Sequence, residues 1–320
     1  MHQEFKSLLI CPVCHAKLSE DESAYICENR DCSQRYPIVN GLPVLISESV
    51  STFNLSAYTQ QNKRNMGQSP SWRKRLRSFV PRISMNLAAQ RNFKKLDRLL
   101  LEESSVPLAL VLGGAEIGAG MYDFLQNERI KFLESDVAIG SRTETVFDAS
   151  YIPLETESVD CIVVQAVLEY IPDPAQAVAE IFRVLKPRGI VYSEMPFMQD
   201  VHGGRYDFTR LTHLGHLRLF RHFAEIRSGA CAGPGTALAW AIQHFFLAFV
   251  KASGQRDFIK IGTGLLFFWL KYIDYLLAGT PGGLDGASGT YLLARKSNQI
   301  LSDRQLIASY RGAVPPTDVI

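Results

Sequence analysis

The chain has 320 residues, 47% of them hydrophobic and 21% charged, which excludes a disordered, collagen-like or disulfide-knotted protein. Its 34 Lys and Arg against 32 Asp and Glu leave a net charge of +2, which argues neither for nor against a nucleic-acid partner. The neutral total hides a basic collar: residues 61–98 hold eleven basic side chains and the single acid Asp97. The length suits two domains.

Four of the six cysteines fall within the first 32 residues, and residues 1–8 lack the apolar core and cleavage site of an export signal. Clustered thiols in such a chain predict a metal site in a reducing, cytoplasmic compartment. Cys11-Pro12-Val13-Cys14 is followed after twelve residues by Cys27, then by Cys32. Two such pairs place four thiolates around one tetrahedral zinc, and with no open position that ion is structural. His15 is read as a bystander. Strands are expected at Tyr25-Ile26, at residues 36–39 and at residues 42–46, with Asn40-Gly41 turning the last two into a hairpin. A module this small has too little core to stand alone, and zinc offsets the deficit. With Tyr36-Pro37-Ile38 and Gly41-Leu42-Pro43, residues 1–47 resemble the zinc-ribbon module of the tRNA-methyltransferase activator family, which is often fused ahead of methyltransferase domains.

Residues 48–83 read as a polar, then basic, linker. Its Trp72-Arg73-Lys74-Arg75-Leu76-Arg77 run suits a phosphate backbone, an anionic membrane surface or simply a solvated face. A helix is expected over about 84–103, where Leu87, Phe93, Leu96, Leu99 and Leu100 form an apolar stripe.

From residue 106 short apolar runs alternate with helical stretches, the mark of a mostly parallel α/β sheet. The strand Leu108-Ala109-Leu110-Val111-Leu112 empties into a turn holding Gly113, Gly114, Glu116 and Gly118. Such a turn lets a ligand approach the backbone, although a bare turn has the same composition. The second strand, residues 130–133, leads to Asp136, an acid placed to accept hydrogen bonds from ribose hydroxyls. A third, Thr145-Val146-Phe147, ends in Asp148-Ala149, and the fourth, residues 158–164, ends at Gln165. Each strand thus delivers a ligand-bonding residue to the carboxyl edge of the sheet. Asp173-Pro174 caps a helix whose Val178, Ile181, Phe182 and Leu185 share one face, and residues 190–193 form a fifth strand. The sheet continues with residues 223–226 and, after a helical insert over about 236–278, with residues 290–295.

The stretch from Leu108 to Tyr192 resembles class I S-adenosylmethionine-dependent methyltransferases of the small-molecule type. The matching features are Asp148-Ala149 with Pro153-Leu154, Ser158-Val159-Asp160, Val167-Leu168-Glu169-Tyr170, Pro172-Asp173-Pro174 and the segment 180–189. The resemblance implies a Rossmann-like, seven-stranded sheet over residues 84–298, preceded by the small zinc ribbon and followed by a tail at 299–320. It implies S-adenosylmethionine held by Gly113, Gly114, Glu116, Gly118, Asp136, Asp148, Ala149 and Gln165. The family usually carries an acid at the position of Gly113, where it holds the cofactor's amino group, so Glu116 would have to reach back for that task. A Gly-Gly turn followed by Gly118-Ala119-Gly120-Met121, together with Pro196-Phe197, His202-Gly203, residues 206–210 and Gly233-Pro234-Gly235, is similar to a subgroup from bacterial surface-polysaccharide biosynthesis.

A neutral hydroxyl acceptor needs a proton removed, and histidine is the usual agent. The loop 196–210 brings His202 as expected base and Asp207 as orienting partner or second base; the alternative is that these residues only pin the loop. His213, His216, His222 and His244 read as structural, and neither Cys161 nor Cys231 has a case as nucleophile. The apolar run 236–250 is shorter than a bilayer core requires and holds Gln243 and His244, so no transmembrane segment is expected and peripheral contact stays open. The expected activity is methyl transfer to a saccharide or other small hydroxyl acceptor. The ribbon also resembles that of bacterial ribosomal-RNA guanine methyltransferases, making RNA an alternative partner, but Gln165-Ala166-Val167-Leu168 stands where amine-methylating nucleic-acid enzymes carry an aromatic-proline tetrad. A non-catalytic scaffold with a degenerate turn is the third reading.

Overall fold

A computed structural model describes residues 1–59 and 80–313. Trp72 and the basic run around it lie outside the described residues. The N-terminal module opens with a helical turn, α1 (Gln3–Lys6), and forms an antiparallel sheet of β1 (Leu18–Glu20), β2 (Ala24–Cys27), β3 (Arg35–Val39) and β4 (Leu42–Pro43) in that order. Asn40 (φ 54°) and Gly41 (φ 78°) both take the left-handed conformation that the hairpin between β3 and β4 requires. Phe5, Leu9, Tyr36 and Leu45 are fully or almost fully buried in one cluster with Phe147, Ile152 and Leu154 of the large domain. The ribbon therefore completes its small core by sharing a neighbour's. Ile10 N–H donates to Pro153 O at 3.0 Å and Leu45 N–H to Val146 O at 2.7 Å, so backbone bonds stitch the same seam. A short helix, α2 (Ser56–Thr59), follows.

The large sheet contains β5 (Leu108–Leu112), β6 (Lys131–Ser135), β7 (Val159–Gln165), β8 (Leu185–Pro196), β9 (Phe223–Ala232) and β10 (Gly289–Lys296), in the order β6-β5-β7-β8-β10-β9. The first four run parallel, and β10 is antiparallel to both its neighbours. Six strands thus replace the expected seven. Residues 145–147 make only single-residue bridges, Thr145 to Ser135 and Val146 to Val44. The reason is that their backbone is divided between two partners: Val146 N–H donates to Pro43 O of the ribbon instead of to a second strand of the sheet.

Helix α3 (Ala89–Glu103) starts five residues later than its stripe suggests, because Asn86 Oδ1 accepts from Ala88 N–H and Ala89 N–H at 3.1 and 2.8 Å and fixes the first turn there. Its Phe93 and Leu96 pack on one face of the sheet with Tyr192. After α4 (Tyr122–Leu125), α5 (Pro174–Val184) covers the other face, capped by Asp173 and started by Pro174 as expected. Helix α6 (His213–Leu219) packs beside it. Between β9 and β10 stand α7 (Pro234–Leu247), α8 (Ser253–Phe267), α9 (Leu270–Leu277) and α10 (Pro281–Asp285); α11 (Asp303–Ala308) follows the sheet. Buried Asp274 of α9 locks this insert by accepting from the N–H groups of Gly233, Gly235 and Thr236 and from the Thr236 hydroxyl, at 2.6–3.1 Å. It is a cap for α7 supplied from another helix. Among the described residues no helix is long and apolar enough to cross a membrane.

Candidate active site

The carboxyl ends of β5, β6, β7 and β8 converge on two cavities. The glycine turn after β5 is dictated by crowding. Gly113 has φ 77°, and a Cβ there would come within 2.4 Å of Val167 Cγ2. One on Gly118 would fall 2.0 Å from Gln165 Oε1.

The first cavity, about 220 Å³, is lined by Gly113, Asp136, Asp148 and Ala149 together with Val137, Phe147, Tyr170 and Ile171. Asp136 accepts from Ala115 N–H at 3.1 Å and from Ala138 N–H at 2.8 Å, which ties the turn to the end of β6. Asp148, buried, accepts from Ser150 N–H and, at 2.7 Å, from the hydroxyl of Ser51. Phe53 lines the same cavity and the Tyr58 hydroxyl donates to Val137 O, so the segment after the ribbon supplies one wall. Gly114 and Gly118 lie behind the turn and line neither cavity, and Glu116 is exposed and likewise lines neither. Near the missing first-strand acid stands Gln165 instead: its Nε2 donates to Ala119 O and to Glu194, while its buried Oε1 has no partner. That orphaned acceptor, the crowded glycines and the two acids are features that fit S-adenosylmethionine, with Gln165 Oε1 available to its ammonium group.

The second cavity, about 350 Å³, is lined by Glu169, Glu194, Pro196, His202, Thr236 and Trp240, among others. Ala166, held at φ 54°, lines both cavities and stands at their junction. A non-glycine residue in this conformation is strained, and such strain clusters at functional sites. His202 Nδ1 lies 3.1 Å from Asp200 O; donating there leaves the lone pair on Nε2, which is 3.9 Å from Glu169 Oε1. Glu169 is 0% exposed and neither of its carboxylate oxygens has a hydrogen-bond partner. Burial pushes its carboxyl up to about 7; Asp207 and Glu194 push the same way and Arg210 opposes. Glu194, also buried, is satisfied by Tyr192, by Gln165 at 2.9 Å and by Asn86 at 2.8 Å, and burial raises its carboxyl too.

Asp207 takes the pinning role rather than that of a base. It pairs with Arg210 and accepts from the N–H groups of His202 and Gly203 at 2.8 and 3.0 Å. Arg210 foremost, with those N–H donors, holds its carboxyl well below the usual carboxylate range. The backbone carbonyl of Glu169 fastens the same loop by accepting from Phe208 N–H and Thr209 N–H. Buried His216 bonds Ser193 and Thr290, His213 bonds Ser228, and burial lowers them to about 3 and about 4; neither lines the two cavities. Glu169 had one signal in the sequence, a lone acid in the apolar run 167–171; Ser51 and Phe53 had none, being far from the strands they meet.

Cys11, Cys14, Cys27 and Cys32 bring four sulfurs within 4.8 Å of one another, with Cys14–Cys27 at 3.4 Å and Cys11–Cys32 at 3.7 Å. Four sulfurs tetrahedrally bound to zinc stand about 3.8 Å apart. The cluster is therefore compatible with the expected ribbon zinc. Cys161 and Cys231 are buried elsewhere.

Residues 125–193 match the family model of a methyltransferase domain, and the chain is a methyltransferase. A comparison with curated proteins finds no match. Among solved structures, the [4+2]-cyclase SpnF is 16% identical with a TM-score of 0.43, over 70% of this chain and 90% of its own. Phosphoethanolamine N-methyltransferase 2 of Haemonchus contortus, solved with S-adenosyl-L-methionine, is 15% identical with a TM-score of 0.41, over 64% and 53%. One chain of the Haloferax volcanii complex between the Trm112 methyltransferase activator and a methyltransferase is 16% identical with a TM-score of 0.36, over 65% and 94%. At such distances, and with a cyclase among them, these likenesses carry no argument about activity.

Proposed function

We propose that the chain moves a methyl group from S-adenosylmethionine to a hydroxyl of a saccharide or similar small acceptor, in cell-surface polysaccharide assembly at the cytoplasmic side. The observation that supports this reading is the pairing of an unpartnered, buried Glu169 with His202 in a cavity that joins the first at Ala166. Bound in the first cavity against Asp136 and Asp148, S-adenosylmethionine supplies an electrophilic methyl group on a sulfonium. An oxygen about 2.8 Å from both Glu169 Oε1 and His202 Nε2 fits between those atoms, so one acceptor hydroxyl bridges them. His202 Nε2 takes the hydroxyl proton as the new oxygen–carbon bond forms and the sulfur–carbon bond breaks. Glu169, ionised, stabilises the resulting imidazolium. Holding the oxygen in line supplies the remaining acceleration.

Two results test the reading. In calorimetric titration, wild-type protein binds S-adenosylmethionine and Asp136→Ala binds it at least tenfold more weakly; no binding by folded wild type would favour the scaffold. With labelled donor, methyl transfer to nucleotide sugars and oligosaccharides is expected. His202→Ala lowers kcat by roughly 100-fold or more while the donor affinity stays within about twofold. Transfer to RNA oligonucleotides in place of saccharides would overturn the acceptor assignment.

A further inference from the structure

The helical insert leaves an apolar surface uncovered. Of the twenty-one exposed large hydrophobic side chains among the described residues, twelve fall between residues 238 and 277, including Phe249 (74% exposed), Phe258 (78%) and Leu276 (78%). They recur at helical spacing: Leu238, Phe245 and Phe249 run along and just past α7, and Phe258, Leu265, Trp269, Tyr272 and Leu276 along α8 and α9. An exposed patch of this kind on a protein surface marks an interaction site.

What would cover it is indicated by charge. Between residues 238 and 277 stand Lys251, Arg256, Lys260 and Lys271 against two acids, Asp257 and the buried cap Asp274. The chain also enters the insert from its most basic part. Val80 approaches Gly264 of α8, Ile83 packs on Ala239 and Leu270, and Lys271 Nζ donates to Arg82 O. Arg77 precedes Val80 by three residues, so its Cα is held within about 11 Å by chain length alone. Lys63, Arg64, Arg73, Lys74 and Arg75 come before it in sequence. Aromatic and aliphatic residues flanked by Lys and Arg are the composition of a surface that lies in the headgroup region of an anionic bilayer. The patch is continuous with the second cavity. Leu238 and Met198 line one groove, Trp240 of α7 lines the cavity itself, and Met198 lies four residues from His202.

We propose that the insert seats the protein on an anionic membrane surface, with α7, α8 and α9 against the lipid and the acceptor cavity opening beside it. For the acceptor this implies a saccharide carried on a lipid, a consequence that rests on the methyltransfer reading, whereas the seating itself does not.

The test is flotation of the zinc-loaded full-length protein with vesicles, without donor or acceptor, so that failure of the seating and failure of the chemistry are read separately. Phosphatidylglycerol vesicles are expected to carry the protein up the gradient, and phosphatidylcholine vesicles are not. Combining Phe249→Ser, Phe258→Ser and Leu276→Ser lowers the bound fraction about tenfold or more, with thermal melting and donor affinity unchanged. Lys251→Glu with Lys260→Glu weakens binding to the anionic vesicles, and so does raised salt. Protein that stays at the bottom with both vesicle types overturns the proposal. Equal flotation with neutral vesicles overturns its anionic part. A dimer in ultracentrifugation that the triple substitution dissolves, without flotation, assigns the patch to a second copy of the chain and overturns it as well.

Discussion

Glu169→Gln is expected to yield a protein that is more stable than wild type at pH 8 and almost inactive. In the folded chain burial raises the Glu169 carboxyl from 4.5 to about 7, while the unfolded chain keeps the ordinary value. Below 4.5 both states are protonated and the side chain costs nothing. As pH rises the unfolded state ionises first, so stability is lost until the folded carboxyl ionises too, near 7. The full cost, about 3 kcal/mol, applies above that pH and the glutamine escapes it. Urea unfolding at pH 5 and pH 8 should therefore show a stability gain that grows with pH. Over the same range kcat/KM of the wild type should rise to a plateau above about 7, because only the carboxylate supports the imidazolium. In Glu169→Gln kcat falls by roughly 100-fold or more and that limb of the profile disappears. A variant both destabilised and active would mean that Glu169 is a structural residue with partners of its own.

Removing the zinc is expected to disable the donor site, although the ion and that cavity belong to different parts of the chain. Without the metal, four thiols crowded at the separations seen here lose the bonds that offset the ribbon's thin core, and zinc binding in small domains is worth about 10–16 kcal/mol. The ribbon leads into Ser51, Phe53 and Tyr58, which hold Asp148, line the cavity and hold Val137 O. Two buried hydrogen bonds at about 1 kcal/mol each, with the apolar wall, convert to a loss of roughly 10- to 100-fold in donor affinity. Calorimetry before chelation, after it and after zinc is returned checks this, with limited proteolysis reporting whether residues 1–47 have opened. Unchanged affinity after the ribbon opens would show that the wall is dispensable.

Legibility in the sequence follows the range of the interaction that fixes each feature. The Asn40-Gly41 hairpin, the Asp173-Pro174 cap, the glycine turn and the acids after β6 and at Asp148 are written in a few adjacent residues, and all stand where the pattern puts them. The short third strand misled because its own apolar run gives no sign that the ribbon competes for its backbone. Asp207 looked available for proton transfer until Arg210 was seen closing on it. Glu116, a charged residue inside the turn, was credited with a reach that its exposed position does not use. Glu169 was visible only as part of a motif; its isolation depends on burial, which no local spacing reports.

The place of β10 in the sheet bears on how the molecule comes into being. It is the last strand to be synthesised, yet it lies between β8 and β9. Until residue 296 has left the ribosome, β8 has an open edge and β9 nothing to pair with, while the apolar insert between them is already made. Pairings so distant in sequence form slowly, and open edges invite association with other chains. The second cavity, which takes Ser288 and Gly289 into its lining, is for the same reason complete only when the sheet closes. Yield of active protein should therefore depend on translation speed and chaperone supply more steeply than the stability of the finished fold suggests.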